Sequence, residues 1–248
     1  MRVVVLVKHA PSSDSEVRVG ADGRSVDQRC LTYEVNEWDK YAVEEAVRLK
    51  EAYGGEVVAV SVGVDCDSTL RRCLATGVDR ALKIPLETGM DAYRTADAIR
   101  EALKDVDFDL VLAGFMSQDL NNALVGVLLA AMLGLPFATA VTSVRIEDSL
   151  VRAVRELEGG YYEEVVLPLP CLLTVQSGIN EPRYVSIMGI KAARAKELRE
   201  VHVQTVNPTL EVEKVYYPLV KRAELIEGPP SEVAEKIAVL LRDRGVIG

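Results

Sequence analysis

The sequence is most informative at first for what it lacks. No C-x-x-C pair occurs: the four cysteines, Cys30, Cys66, Cys73 and Cys171, have spacings that fit neither a zinc site nor a dithiol redox motif, so buried or half-buried thiols are expected. With only two histidines, His9 and His202, a histidine-based metal site or triad has almost no material to draw on. Basic residues are in deficit. The formal net charge of −9 argues against nucleic-acid and anionic-membrane partners, which a chain of this charge repels. The opening MRVVVLVKHAP holds an apolar run of only five residues, too short for a secretory leader or a membrane span, so no membrane insertion and a cytoplasmic location are expected. Neither G-x-G-x-x-G after the first strand nor G-x-x-x-x-G-K-[ST] anywhere is present, which removes the standard dinucleotide and P-loop readings. There is no Ser-His-Asp set, no acid/base carboxylate pair and no internal repeat. No catalytic side chain and no metal ligand are expected, which favours a bound cofactor as the carrier of any chemistry.

What is present is alternation. With 248 residues, 49% of them hydrophobic, the chain is long enough to bury a large core without staples. Short β-branched runs at Val3–Val7, Glu56–Val62, Arg80–Ile84 and Phe108–Ala113 are separated by helical patterns. These helices are expected from Asn36 to about Tyr53, over Ser68–Ala75, over Asp91–Leu103 and over Asn122–Leu133. Asn36 reads as an N-cap with Asp39 three residues on as a weak capping-box partner, and Gly54-Gly55 as the stop. A small hairpin or ordered loop is expected around Ala21–Gly23. Such βαβ units predict an α/β fold with a doubly wound, mostly parallel sheet. After Pro136 the pattern changes to strands at Val141–Ile146, Leu150–Glu156, Glu163–Leu167 and Cys171–Val175, an expected antiparallel addition. From about residue 180 the chain reads as an arm, extended over Val206–Tyr217 and closed by a helix over Ser231–Arg244. The expected division is 1–180 for a nucleotide-binding domain and 181–248 for the arm and closing helix.

In an open parallel sheet ligands bind at the carboxyl ends of the strands, near the point where strand order reverses. Four loops occupy such positions: Lys8–Ser13, Gly63–Cys66, Ile84–Thr88 and Gly114–Asn121. The last runs from a strand end through a polar, glycine-containing stretch into a helix, a geometry that aims backbone N–H groups at an anion. The pattern alone leaves two readings open: an anion cradle, or a chain turn at Gly114 followed by an Asn121-Asn122 cap. Lys8 is either a phosphate or partner contact or a solvated strand end, and Trp38 either stacks on a base or packs locally.

Residues Ala153–Val175, AVRELEGGYYEEVVLPLPCLLTV, closely resemble the signature region of electron-transfer flavoprotein β subunits, with Arg155, Glu158-Gly159-Gly160, Glu163 and Pro170 in the signature's order. VLVKHAP resembles that family's opening strand, VNEWDKYAVEEAVRLKEAYGGEV its first helix and NEPRYVSIMGIKAA its partner-facing arm. The resemblance runs from residue 1 to about 200. It implies an adenine-nucleotide-α-hydrolase-like fold, a heterodimer with an α subunit, FAD shared with that subunit, and dehydrogenase or quinone-reductase redox partners. It also implies a second nucleotide in this chain's own sheet: AMP in plain carriers, a second FAD in electron-bifurcating members.

Carried over by the resemblance, the nucleotide contacts are Leu6 and Lys8, then Asn36, Glu37, Trp38 and Asp39, and Val62. The implied phosphate loop comprises Gly114, Phe115, Met116, Ser117, Gln118 and Asp119, followed by Asn121, Asn122, Ala123, Leu124, Val125 and Gly126. Ile187 and Met188 stand where the family presents an apolar residue to partner proteins. Members commonly carry Thr or Ser and a Gln at the start of the phosphate-loop helix; here Asn122 is able to replace the hydroxyl, whereas Leu124 cannot replace the Gln. The loop after Lys8 is small and polar. Ser13 stands near the place of a bulky aromatic in AMP-type members, which favours a second FAD and bifurcation. A stand-alone adenine-nucleotide sensor is the alternative of a different class; the signature region and the long arm speak against it.

Overall fold

The computed structural model describes residues 1–87, 89, 91–218 and 225–247. Thr88, the end of one expected loop, and the stretch 219–224 of the arm lie outside the described residues. Two compact units are present, Met1–Lys214 and Val215–Gly248.

The first unit is built on strands β1 (Arg2–Leu6), β2 (His9–Pro11), β3 (Tyr33–Val35), β4 (Glu56–Val62), β5 (Arg80–Ile84), β6 (Leu110–Gly114), β7 (Phe137–Glu147), β8 (Leu150–Glu156), β9 (Tyr162–Pro168), β10 (Cys171–Val175) and β11 (Leu198–Glu200). Helices α1 (Glu37–Tyr53), α2 (Asp67–Thr76), α3 (Ala92–Ala102), α4 (Val125–Leu133) and α5 (Ile187–Ala193) complete it. The sheet order is β11-β5-β4-β1-β6-β10-β7-β8-β9, with β2 and β3 forming a separate antiparallel ribbon.

The period of two along each strand explains the layers. Val3 and Val5 of β1, Val57 and Ala59 of β4, and Leu110 and Leu112 of β6 pack in one core with Ala42 and Ala46 of α1 and Leu70 and Leu74 of α2. The alternate residues, Val4 and Leu6, Val58 and Val60, Val111 and Ala113, pack in the other with Ala98 and Ile99 of α3 and Leu129 of α4. Register keeps these sets aligned: Val3 pairs with Val57 and with Leu110. The strands are therefore apolar on both faces, as a parallel sheet covered by helices requires.

Four expectations need correction. Cys171–Val175 does not join an antiparallel addition; β10 lies parallel to β6 on one side and β7 on the other, inside the main sheet. Antiparallel pairing there is confined to β7 with β8 and β8 with β9. Helix α4 begins at Val125 rather than Asn122, because Asn121 and Ala123 both sit at φ +51°, a conformation that interrupts a right-handed helix. Asn36 and Asp39 form no capping box: Asn36 makes no side-chain cap bond, and both side chains are engaged elsewhere. The first compact unit runs past the expected boundary at 180, to Lys214, and β11 within it adds to the sheet beside β5. The expected turn at Ala21–Gly23 is present as a Val19–Val26 bridge closed by a Gly20 N–H to Ser25 C=O bond of 2.8 Å.

In the second unit α6 (Pro230–Asp243) has no buried residue, and Ile237, Val239 and Leu240 on it are exposed. No described helix is long and apolar enough to cross a membrane.

Candidate functional site

The chain leaves β1 for β4 and β5 on one side of the sheet, then returns to β6 on the other. Strand order thus reverses between β1 and β6, and a crevice opens at their carboxyl ends. It holds about 810 Å³ of empty space, counted with the open solvent at its mouth. Leu6 ends β1 and Lys8 follows it, Val62 ends β4, and Ala113 and Gly114 end β6; all line the crevice. One wall is the loop from Phe115 to Leu124, and the other comes from α3 through Ala92, Thr95 and Ile99.

Buried polar side chains hold the loop wall in place. Asn36, 1% exposed, donates from Nδ2 to the Met116 carbonyl at 2.9 Å and accepts the Gln118 N–H at Oδ1 at 3.0 Å. Gln118 in turn accepts the Glu37 N–H at 3.0 Å and donates to the Pro11 carbonyl at 2.7 Å, tying the loop to α1 and to the strand after Lys8. Asp39 joins the two central strands: its Oδ2 accepts the Lys8 N–H at 2.7 Å and its Oδ1 the Gly114 N–H at 3.1 Å. Burial pushes its carboxyl up to about 7, against the pull of the Lys8 and Gly114 N–H groups and Asn36. The contact also dictates glycine at 114, where a Cβ would stand 2.2 Å from Asp39 Oδ1 and 2.8 Å from Trp38 Cβ.

Lys8 reaches over the loop. Its Nζ lies 2.6 Å from both carboxylate oxygens of Asp119 and 3.3 Å from Ser117 Oγ. Helix α4 then opens with Val125 and Gly126 at the crevice, and no side chain caps it. The first N–H groups of a helix have no partner within the helix, and the dipole adds positive potential there. An uncapped helix start beside a lysine and buried amides fits the phosphate of a nucleotide. The apolar floor of Leu6, Val60 and Val62 fits its uncharged part.

Of the residues expected at the site, the structure brings to the crevice Leu6, Lys8, Asn36, Asp39 and Val62 from the strands and α1, with Gly114, Phe115, Met116 and Ser117 from the loop. Asn122, Ala123, Leu124, Val125 and Gly126 join them at the start of α4. Glu37, Gln118, Asp119 and Asn121 are not in its lining; the first three support it through the bonds described. Trp38 donates from Nε1 to Gln176 Oε1 at 2.9 Å and is not in the lining. Ser13 is exposed on the loop after β2, outside the lining. Sequence reasoning missed Val7, Val60, Ala113 and Leu120, which flank chosen positions, and the α3 contribution of Ala92, Thr95 and Ile99. The strand-end rule would have found Val60 and Ala113; nothing in the local pattern marks α3.

Elsewhere the side chains offer little chemistry. Burial pushes the thiols of Cys73 and Cys171 up to about 12, so neither is a nucleophile at neutral pH. His9 is stacked on Tyr33 at 4.6 Å with Nδ1 2.8 Å from Thr69 Oγ1, and burial lowers its pKa. Among the described residues no group of His, Cys, Asp and Glu has the arrangement of a metal site. Ile187 and Met188 begin α5, 86% and 73% exposed.

Comparison with known proteins agrees with this geometry. Residues 26–206 match the family model of the electron transfer flavoprotein domain. The chain is 36% identical over 260 residues to the electron transfer flavoprotein subunit beta of Methylophilus methylotrophus, covering 98% of each. It is 33% identical over 259 residues to that of Bacillus subtilis, covering 100% of both, and 29% identical over 253 residues to that of Sus scrofa, covering 100% of this chain and 99% of that one.

Proposed function

The chain belongs to the electron transfer flavoprotein family as a β subunit, and from that premise we propose that it pairs with an α subunit and seats an adenine nucleotide in the crevice between β1 and β6. The observation that carries the nucleotide reading is the uncapped start of α4 at the crevice, beside Lys8 and over an apolar floor. FAD, shared with the α subunit, supplies the electron-transfer chemistry when bound. This chain's part is to bind and position. Asn36 and Gln118 hold the loop wall, Asp39 fixes the strand ends against each other, and the N–H groups of Val125 and Gly126 receive phosphate oxygens. The exposed apolar residues of α6, Ile237, Val239 and Leu240, supply a face for the α subunit. Ile187 and Met188 supply an apolar anchor for dehydrogenase or quinone-reductase partners.

A second reading concerns the nucleotide itself. Ser13 is a small, exposed side chain two residues beyond Pro11, whose carbonyl is bonded to the crevice loop through Gln118. Room on that loop favours a second FAD over AMP, and with it electron bifurcation from NADH. Pairing is tested by co-expressing the chain with its organism's α subunit. Co-elution as a one-to-one flavin-bearing complex whose FAD is reduced by a dehydrogenase supports the reading. A stable homodimer of this chain that binds ATP or AMP and ignores the α subunit would replace it with a nucleotide sensor.

A further inference from the structure

Among the described residues of the lining, Lys8 is the one with a cationic side chain, and it is already neutralised by Asp119. The second ionisable lining group, Asp39, is an acid. All the other residues of the lining are apolar, hydroxyl- or amide-bearing. The crevice therefore brings dipoles to an anion but no net positive charge. The ion pair is no loose surface contact: Asp119 and Lys8 side chains are 23% and 34% exposed, and Ser117 Oγ backs the ammonium. Burial pushes the Asp119 carboxyl up, but the Lys8 ammonium, with the hydrogen bonds of Ser117 and the backbone, outweighs it and holds the carboxyl below its usual value.

We propose that Asp119 sets an upper limit on the charge of the nucleotide the crevice accepts. A ligand with about two negative charges, a phosphate monoester or the pyrophosphate diester of a dinucleotide, is held by the α4 N–H groups and the amides. One with more phosphate charge is turned away, because its added charge meets Asp119 rather than a free lysine. This rests on the nucleotide reading of the crevice given above. Sites built for triphosphates commit a free lysine and a bound cation to the terminal phosphates; here the lysine is committed to a carboxylate two residues beyond Ser117. The size of the effect follows from Coulomb's law. Taking away the charge of Asp119, and with it the partner of Lys8, changes the affinity for one added unit charge about 8 Å away by roughly thirtyfold at an effective dielectric of about 20.

The test uses the complete heterodimer, freed of the nucleotide in this chain by dialysis from mild denaturant. Equilibrium dialysis then measures AMP, FAD, ADP and ATP. The wild type is expected to bind the better of AMP and FAD at least about tenfold more tightly than ADP, and ATP more weakly still. Asp119→Asn, which frees Lys8 and removes the opposing charge, is expected to shrink the gap to about threefold or less by gaining affinity for ADP and ATP. Asp119→Glu, which keeps the charge, is expected to keep the gap and guards against a merely structural effect. Wild-type binding of ADP or ATP as tight as that of AMP and FAD would overturn the inference while leaving the crevice reading intact, as would an unchanged gap in Asp119→Asn. A wild type that binds none of these nucleotides would refute the crevice reading and this inference with it.

Discussion

Replacing Arg183 by methionine removes the strongest visible tie between α1 and the segment that leads to Ile187 and Met188. Glu44 is only 2% exposed, and Arg183 donates to it from Nε at 2.9 Å, from Nη2 at 3.1 Å and from its backbone N–H at 3.1 Å. The same guanidinium holds Glu51 through Nη1 at 2.7 Å and Nη2 at 3.0 Å. Removing one partner of a fully buried ion pair costs about 3–5 kcal/mol. Here the cost is lower, because Glu44 keeps Arg48 at 2.8 Å and the backbone N–H, and because the Arg183 side chain is 34% exposed. About 2–3 kcal/mol remains, and it falls on local opening of residues 183–193 more than on the sheet. Amide hydrogen exchange on the full chain is the assay: protection in this segment should drop by roughly 30- to 150-fold while β1 and β4 stay unchanged. Acid should erase the difference. Burial pushes Glu44 up, but the hydrogen bonds from Arg183 and Arg48 outweigh it and hold the carboxyl below its usual value. A depressed carboxylate stabilises fully above its unfolded value of 4.5 and loses that contribution as pH falls through the folded one. Equal protection in wild type and Arg183→Met at neutral pH would refute the reasoning, since it would mean that Arg48 alone satisfies Glu44.

Three further substitutions test the crevice. Asn36→Ala leaves the Met116 carbonyl and the Gln118 N–H without their partner, a cost of about 2 kcal/mol, and should lower nucleotide retention in the purified complex; unchanged retention would contradict the role of Asn36 in holding the loop. Trp38→Phe removes the bond to Gln176 and should cost about 1 kcal/mol in urea unfolding with nucleotide content unchanged, whereas loss of nucleotide would restore base stacking as its role. The third, Asp39→Asn, changes the pH dependence of stability. With a folded value of about 7 against 3.8 unfolded, Asp39 contributes fully below about pH 4 and loses that contribution as pH rises through 7. It accounts for a slope of about 1.4 kcal/mol per pH unit across that window. The variant should show a flatter urea-midpoint profile there, and identical profiles would show that Asp39 does not titrate in this range.

Legibility differed between levels for physical reasons. Strands β4, β5 and β8 match their expected ranges at both ends, because β-branched runs buried on both faces or alternating on one leave little choice, and turn residues mark their limits. Pairing direction is not written in such runs. Cys171–Val175 has the same composition whether it closes a hairpin or, as here, fills the gap between β6 and β7. The β2–β3 ribbon went unseen because three residues per strand give no period to detect. Asn121-Asn122 looks like a cap from the sequence, but the backbone uses Asn121 and Ala123 for left-handed turns that delay the helix and leave its start uncapped at the crevice. The crevice takes in Lys8 and Gly114, whose strand-end loops the sequence pattern marked, and Leu6 and Val62, which only the resemblance marked. It was unreadable at Thr95 and Ile99, which reach the crevice only because α3 crosses back over the sheet. The cap suggested by the spacing of Asn36 and Asp39 is not made; Asp39, which the resemblance also placed at the site, joins β1 to β6 in the crevice.

The most direct test of the central claim is a nucleotide count on the heterodimer. The complex is denatured, and released FAD and AMP are quantified by chromatography against protein. The account predicts one adenine nucleotide per heterodimer beyond the FAD shared with the α subunit: a second FAD with no AMP if the reading of Ser13 holds, one AMP if the chain is a plain carrier. A folded, active complex that releases a single FAD and no further adenine nucleotide would contradict the assignment of the crevice between β1 and β6 as a nucleotide site.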